Sequence, residues 1–373
     1  MKKFLVTGSA GFAGRNLCAA LRARGGCEIL ECDIGSNSPE HLAAFAAEAD
    51  FVFHLAGVNR PREESEFTAG NVDFTKTLLA ALSASGRKIP VLLSSSVQAA
   101  LDNPYGASKR AAEDAVFAYG RETGADVFVF RLPNVFGKWS RPNYNSAVAT
   151  WCHNTARGLP VQVRDPAAQI SLAHIDDVVR AFISCAEGRT PPQDGFLSVP
   201  ETFTRTLGEV SSAIKSFRDA RGALAVPDQS DPFARRLYST YLSFLPEDGF
   251  AADLAPHTDA RGSFTELLRT PDRGQVSVNV AHPGIVKGNH WHSLKHEKFI
   301  VVSGTGVIRF RKALDKSAPV IEYSVDGARP QSVEIPPGYT HNIENTGSCD
   351  LVTVMWANEP FDPANPDTVF EEV

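Results

Sequence analysis

Between residue 3 and about residue 135, apolar runs rich in β-branched and aromatic residues alternate with Ala- and Leu-rich stretches of helical period. KFLVTG, EILECD, DFVFHLAG, PVLLSSS and VFVFRLPNVFG read as strands, with GRNLCAALRARG, HLAAFAAEA and NVDFTKTLLAALSASG as the helices between them. Strands that are apolar throughout and separated by helices predict a parallel sheet covered on both faces. From about residue 140 to 245 shorter helices follow, including the amphipathic TLGEVSSAIKSFRDA and the aromatic DPFARRLYSTYLSFL, whose rings are expected to pack a helical subdomain. PEDGFAADLAP, around 246–256, gathers Pro, Gly and acidic residues where the period changes, so the boundary falls there and the domains are 1–246 and 247–373. Beyond it QVSVNVA, EKFIVVSG, TGVIRFRK, VIEYSV, QSVEIPP and LVTVMWAN are short, β-branched and broken by turn residues, which predicts an all-β sandwich or barrel.

Two domains agree with a length of 373 residues, since single cores stop growing near roughly 250–300 residues. Apolar residues at 43% and charged residues at 21% exclude a disordered or fibrous chain. A net charge of −6 without basic runs argues against nucleic-acid binding, and no stretch reaches the roughly 20 apolar residues of a membrane span, so no membrane insertion is expected. Cys18, Cys27, Cys32, Cys152, Cys185 and Cys349 lack CxxC spacing, which fits reduced thiols in a cytoplasmic setting.

Gly8, Gly11 and Gly14 form a GxxGxxG run between the first strand and the first helix, which makes the α/β domain Rossmann-like. Glycines there permit close approach of a pyrophosphate, and the helix N-terminus supplies N–H groups and a positive dipole end. The next strand ends at Asp33, where a carboxylate can accept bonds from an adenosine ribose and favours NADH; Arg15 can instead serve the extra phosphate of NADPH. For both, a solvated turn charge is the alternative. A sharper signal is Tyr105-Gly-Ala-Ser-Lys109, after the strand-end serines Ser94, Ser95 and Ser96. On a helix the two share a face, so the ammonium can favour the phenolate while the phenol exchanges a proton with a carbonyl or alcohol oxygen.

In the second domain His290 and His292 alternate on a strand and can face one interior, with Glu297 arriving from the next strand and His341 after the Pro336-Pro337-Gly338 turn. Imidazole and carboxylate donors suit several divalent metals, of which zinc is the expected ion, in either a structural or a catalytic role.

The glycine run, HLAG at 54–57, the serines and Tyr105/Lys109 resemble the extended short-chain dehydrogenase/reductase family. That resemblance implies NAD(P)H held by Gly8, Gly11, Phe12, Gly14, Arg15, Asp33, Leu55, Ala56, Gly57 and Lys109. It implies catalysis by Tyr105, Lys109 and Ser96, and substrate contact from Asn134 in RLPNVFG. The histidine and glutamate spacing resembles the cupin superfamily, with Pro330 where its second motif has a glycine.

Reductase followed by cupin, with DNPYGASK, PNVFGKWSRPNYNS, KGNHWH and GYTHNIEN, resembles the capsular-polysaccharide enzymes that fuse the two. This implies a UDP-linked 4-keto-6-deoxy-N-acetylhexosamine substrate and NADPH, with C3 epimerised in the cupin and C4 reduced by the first domain. The product would be UDP-N-acetyl-6-deoxytalosamine, on the way to N-acetyl-L-fucosamine. Arg309 and Arg311 share a strand face and are candidates for the diphosphate, a solvated basic face being the alternative; His296, Lys287 and Lys298 flank the metal ligands as candidate C3 bases. Family analogy implies a homodimer. Two other readings stay open: a nucleotide-sugar 4-reductase or 4-epimerase with a purely structural cupin, and a non-catalytic NAD(P)-sensing protein.

Overall fold

The computed structural model describes residues 1–33, 39–193, 195–270, 272–364 and 366–373. The chain forms two compact units, Met1–Lys215 with Arg235–Pro246, and Ser216–Ala234 with Glu247–Val373.

In the first unit six parallel strands lie in the order Cys27–Cys32, Lys2–Thr7, Phe51–His54, Val91–Ser96, Val127–Leu132 and Phe196–Leu197. Alternation along each strand feeds two cores. Phe4, Val6, Phe51, Phe53, Phe128 and Phe130 enter one face, while Leu5, Val52, Val91, Leu93 and Val129 enter the other. Helices on both faces explain why these strands carry no polar alternation. Strand order reverses between Lys2–Thr7 and Phe51–His54, and a ligand crevice opens at such a switch point. The run VFVFRLPNVFG is two strands rather than one: Pro133 has no N–H to donate, and Asn134–Phe136 leaves the main sheet to pair with Gln169–His174.

The second unit is antiparallel. A six-stranded sheet runs His257–Asp259, Gly262–Thr270, Gly274–Ala281, Leu351–Ala357, Glu297–Ser303, Ser332–Ile335; a five-stranded sheet runs Ile321–Asp326, Thr305–Lys312, Tyr339–Asn345, Val286–Trp291, Val369–Phe370. Phe299, Val301 and Leu351 from the first meet Ile308, Phe310 and Ile343 from the second in one apolar core, as in a cupin-like β fold. Within Ser216–Ala234, the backbone at Leu224 and Val226 bonds that of Arg269, docking this segment on the second unit's first long strand. The six cysteines are free thiols. No helix among the described residues is long and apolar enough to cross a membrane.

Candidate functional site

The glycine loop is built by close approach. Gly8 has φ +71°, and a Cβ there would lie 2.7 Å from the Ala56 nitrogen; a Cβ on Gly14 would lie 2.1 Å from the Gly8 oxygen. Leu55, Ala56 and Gly57 are thereby drawn beside the loop. The helix Phe12–Arg24 starts at Gly11 with neither a side-chain cap nor an acidic residue in its first turn, so its N-terminus is free to receive an anion. Asp33 lies at the end of its strand as the spacing requires. Its carboxylate accepts from Ser9 Oγ at 2.5 Å and from the Ala10 amide at 3.0 Å, clamping the loop. Arg15 lies 5.5 Å over the Trp139 ring at the rim.

Asn103 caps the helix Pro104–Thr123 through the Gly106 amide, with Pro104 in its first turn. This start aims Tyr105 and Lys109 into a cleft of about 1380 Å³, whose walls include the glycine loop, Ser96 and Asn134. Lys109 is buried and donates to the Ser94 carbonyl at 3.2 Å. Burial pulls its pKa down to about 8, opposed by the Glu113 carboxylate one turn along the helix. The Tyr105 hydroxyl donates to Asn59 Oδ1 at 2.7 Å. Burial pushes its pKa up, and the Ser96 hydroxyl acts the other way. The Ser95 hydroxyl is engaged in a donated bond to Glu113 at 2.5 Å, whereas the Ser96 hydroxyl is the one that acts on the phenol. Asn134 donates to the Ser171 carbonyl at 3.4 Å.

Three further groups escape a reading of motifs. Asn59 holds the phenol. Asn71 bridges Val58 and the Ser108 hydroxyl, tying the loop after HLAG to the helix that carries Tyr105 and Lys109. Glu113 receives two bonds from Arg131, at 3.0 and 2.7 Å, behind Lys109. Only Glu113 leaves a sequence signal, since it follows Lys109 at the i, i+4 spacing of one helix face.

In the second unit His290, His292, Glu297 and His341 converge, each offering a ligand atom within 4.8 Å of the others. His290 pairs across strands with His341, after a register shift between Gly288 and His290. His292 Nε2, Glu297 Oε2 and His341 Nε2 are buried without hydrogen-bond partners. Three inward lone-pair atoms left unpaired would each be costly, and a divalent cation at their centre would satisfy all of them, so the donor set fits a metal. Burial, with His341 and His292 adjacent, lowers His290 to about 4, so its imidazole is neutral at neutral pH.

Arg309 and Arg311 do share a face, but the intervening Phe310 is the residue that turns inward, its ring 6.4 Å from His341. Arg309 bonds Glu322 and Glu344, and Arg311 bonds Glu371, so these carboxylates rather than the histidine cluster receive the two guanidinium groups. Lys287 donates to Asn279 Oδ1 and to the carbonyls of Val280 and Ser263. Lys298 pairs with Glu334, and His296 packs on Trp356.

Two family descriptions match the chain: "NAD dependent epimerase/dehydratase family" over residues 4–194 and "Polysaccharide biosynthesis C-terminal domain" over residues 257–369. A Pseudomonas aeruginosa protein, UDP-2-acetamido-2,6-beta-L-arabino-hexul-4-ose reductase, is 47% identical over 370 residues, spanning 98% of this chain and 97% of its own. The crystal structure of the capsular polysaccharide assembling protein CapF from Staphylococcus aureus superposes with a TM-score of 0.92 at 47% identity, covering 99% of this chain and all of that one. A second structure, CapF with the inhibitor 3-isopropenyl-tropolone, gives 0.87 at 43% identity with full coverage of both chains.

Proposed function

Because this chain belongs to the NAD dependent epimerase/dehydratase family, we propose that it is a bifunctional UDP-sugar enzyme of surface-polysaccharide synthesis. In this reading it inverts C3 of a UDP-linked 4-keto-6-deoxy-N-acetylhexosamine in the cupin domain and reduces C4 in the Rossmann-like domain. The observation that carries it is the Tyr105–Lys109 helix face at the glycine-loop cleft, in a chain that aligns along 98% of its length with a protein named as a UDP-hexulos-4-ose reductase.

At C4 the Tyr105 hydroxyl donates a proton to the ketone oxygen, Ser96 donates a hydrogen bond to the same oxygen, and the Lys109 ammonium stabilises the phenolate left behind. A nicotinamide cofactor held at the glycine loop of Gly8, Gly11 and Gly14 would supply the hydride. NADPH is the cofactor we assign: the Asp33 carboxylate is already engaged by Ser9 and Ala10, and Arg15 is a cation at the rim for the extra phosphate. At C3 the adjoining ketone makes the proton acidic, because the charge left on its removal spreads to the C4 oxygen. A base of the cupin domain, for which His296, Lys287 and Lys298 are the candidates, takes that proton, and a proton returned to the opposite face completes the inversion. A zinc ion held by His290, His292, Glu297 and His341 would supply positive charge toward that oxygen. The same reading makes the enzyme a cytoplasmic homodimer with domains 1–246 and 247–373.

The test is incubation with the UDP-4-keto-6-deoxy sugar and each nicotinamide cofactor, following product by mass and NMR. Solvent deuterium entering C3 without NADPH is expected. Its absence, with C4 reduction intact, would replace this reading with that of a reductase carrying a structural cupin.

A further inference from the structure

The segment 366–373 lies along the free edge of the strand that carries His290 and ends one residue before His292, with Phe370 paired to His290 and Val369 to Trp291. Three features tie it to the ligand cluster. The Asp367 carbonyl oxygen is 2.5 Å from His292 Nδ1. A carbonyl can only accept, so Nδ1 carries the ring proton and the lone pair is left on Nε2, the buried atom that faces Glu297 at 3.5 Å. Next, the Asp367 carboxylate accepts from three successive amides, those of Ser293, Leu294 and Lys295, at 2.9, 2.9 and 2.8 Å. These bonds close the loop running from His292 to Glu297. Finally, Asn289 has φ +59° in the bulge that sets His290 opposite His341. Its carbonyl accepts from the Glu371 amide at 2.9 Å. Glu371 is anchored in turn, its carboxylate by Arg311 at 3.2 Å and its carbonyl by the Thr340 hydroxyl at 2.6 Å.

We infer that segment 366–373 is a positioning strap for the metal ligands, in which Asp367 fixes the tautomer and loop of His292 and Glu371 locks the bulge that presents His290. The inference rests on the metal reading above. It also gives Arg311 a role, as the cation that anchors the strap.

The strap predicts that disturbing Asp367 weakens metal binding without unfolding the protein, since outer partners of ligating histidines typically govern metal affinity by about 10–100-fold. Zinc affinity of the full chain would be measured by chelator competition, and the His292 tautomer of the zinc-free protein by nitrogen-15 NMR. Asp367→Ala keeps the main-chain carbonyl at His292 Nδ1 but removes the carboxylate that anchors Ser293–Lys295 and so loosens the strap around it; a loss of about 10–100-fold in affinity and a partial mixing of the His292 tautomers are expected. Asp367→Asn, which keeps an acceptor oxygen, should recover most of both. Glu371→Ala leaves the Ser293–Lys295 loop anchored and keeps the amide bond to Asn289 but removes the carboxylate that Arg311 holds; it serves if Asp367→Ala does not fold, and a loss of affinity from the loosened strap is expected there too. Unchanged affinity in a folded variant, with wild-type zinc binding intact, overturns the strap. Wild-type protein that binds no zinc overturns the metal reading itself, and the strap with it.

Discussion

Glu113→Gln tests the chemistry of the first unit most directly. Glu113 is 2% exposed and takes bonds from Ser95 and, in a fork, from Arg131. Its charge also supports the buried Lys109 ammonium, whose pKa burial has already drawn down to about 8. Gln keeps the shape and one acceptor oxygen but removes the charge, so Lys109 becomes easier to deprotonate. With a pKa of about 8, half the lysine is charged at pH 8. A further tenfold loss of proton affinity would leave about one part in eleven, a fivefold fall at pH 8 and almost none at pH 6. The alkaline limb of kcat/KM for C4 reduction should therefore move to lower pH. Losing the ionic half of the Arg131 fork costs about 1–3 kcal/mol, at the low end because Arg131 is partly exposed and stacks 3.5 Å over Phe196. The assay is the pH profile from about 6 to 9.5 beside a melting curve. A lower Tm with an unmoved alkaline limb would refute the electrostatic role and leave Glu113 a packing residue. Stability carries its own sign. Unfolded lysine keeps its ordinary value of 10.5, so between about 8 and 10.5 the unfolded chain binds more protons and this group makes stability rise with pH. Lys109→Met should flatten that slope.

Tyr105→Phe should lower kcat for C4 reduction by about 10²–10⁴-fold while NADPH binding and C3 deuterium exchange persist, measured by stopped assay and NMR. His292→Ala should lose the metal by elemental analysis and stop C3 exchange, yet leave reduction of an already epimerised sugar intact. Gly14→Ala forces a methyl onto the Gly8 carbonyl, 2.1 Å away. A stability loss of roughly 1–3 kcal/mol and loss of NADPH binding are expected by thermal shift and fluorescence titration.

What the sequence made legible is what short-range spacing determines. Three glycines three apart between a strand and a helix, a Tyr and a Lys one turn apart, and two histidines on alternate strand positions each define a local geometry before any tertiary contact forms. The structure keeps the first two, and it brings both histidines into one cluster although His292 lies just past the end of its strand. Pairings between distant segments were not available in that way. Asn59 meets Tyr105 across 46 residues, and Glu113 meets Arg131 from helix to strand. Nothing in either local pattern selects those partners.

Arg309 and Arg311 mark the line between the two kinds of information. Strand alternation told correctly that they share a face, but which face looks inward depends on Ile308 and Phe310, both nearly fully buried. That apolar pair is present in TGVIRFRK and puts the arginines on the face opposite the apolar core, where Arg309 meets Glu322 and Glu344 and Arg311 meets Glu371. The bulge at Asn289 goes one step further, because a single inserted residue resets alternation at the point where the ligands sit. A strict period-two count places His290 and His292 together whether or not the bulge exists, so counting cannot see what holds His290 opposite His341. That restraint is supplied by backbone bonds from a segment some eighty residues later, and a backbone bond leaves no trace in side-chain pattern. Ligand identity is therefore written locally in this chain, whereas ligand aim is written at long range.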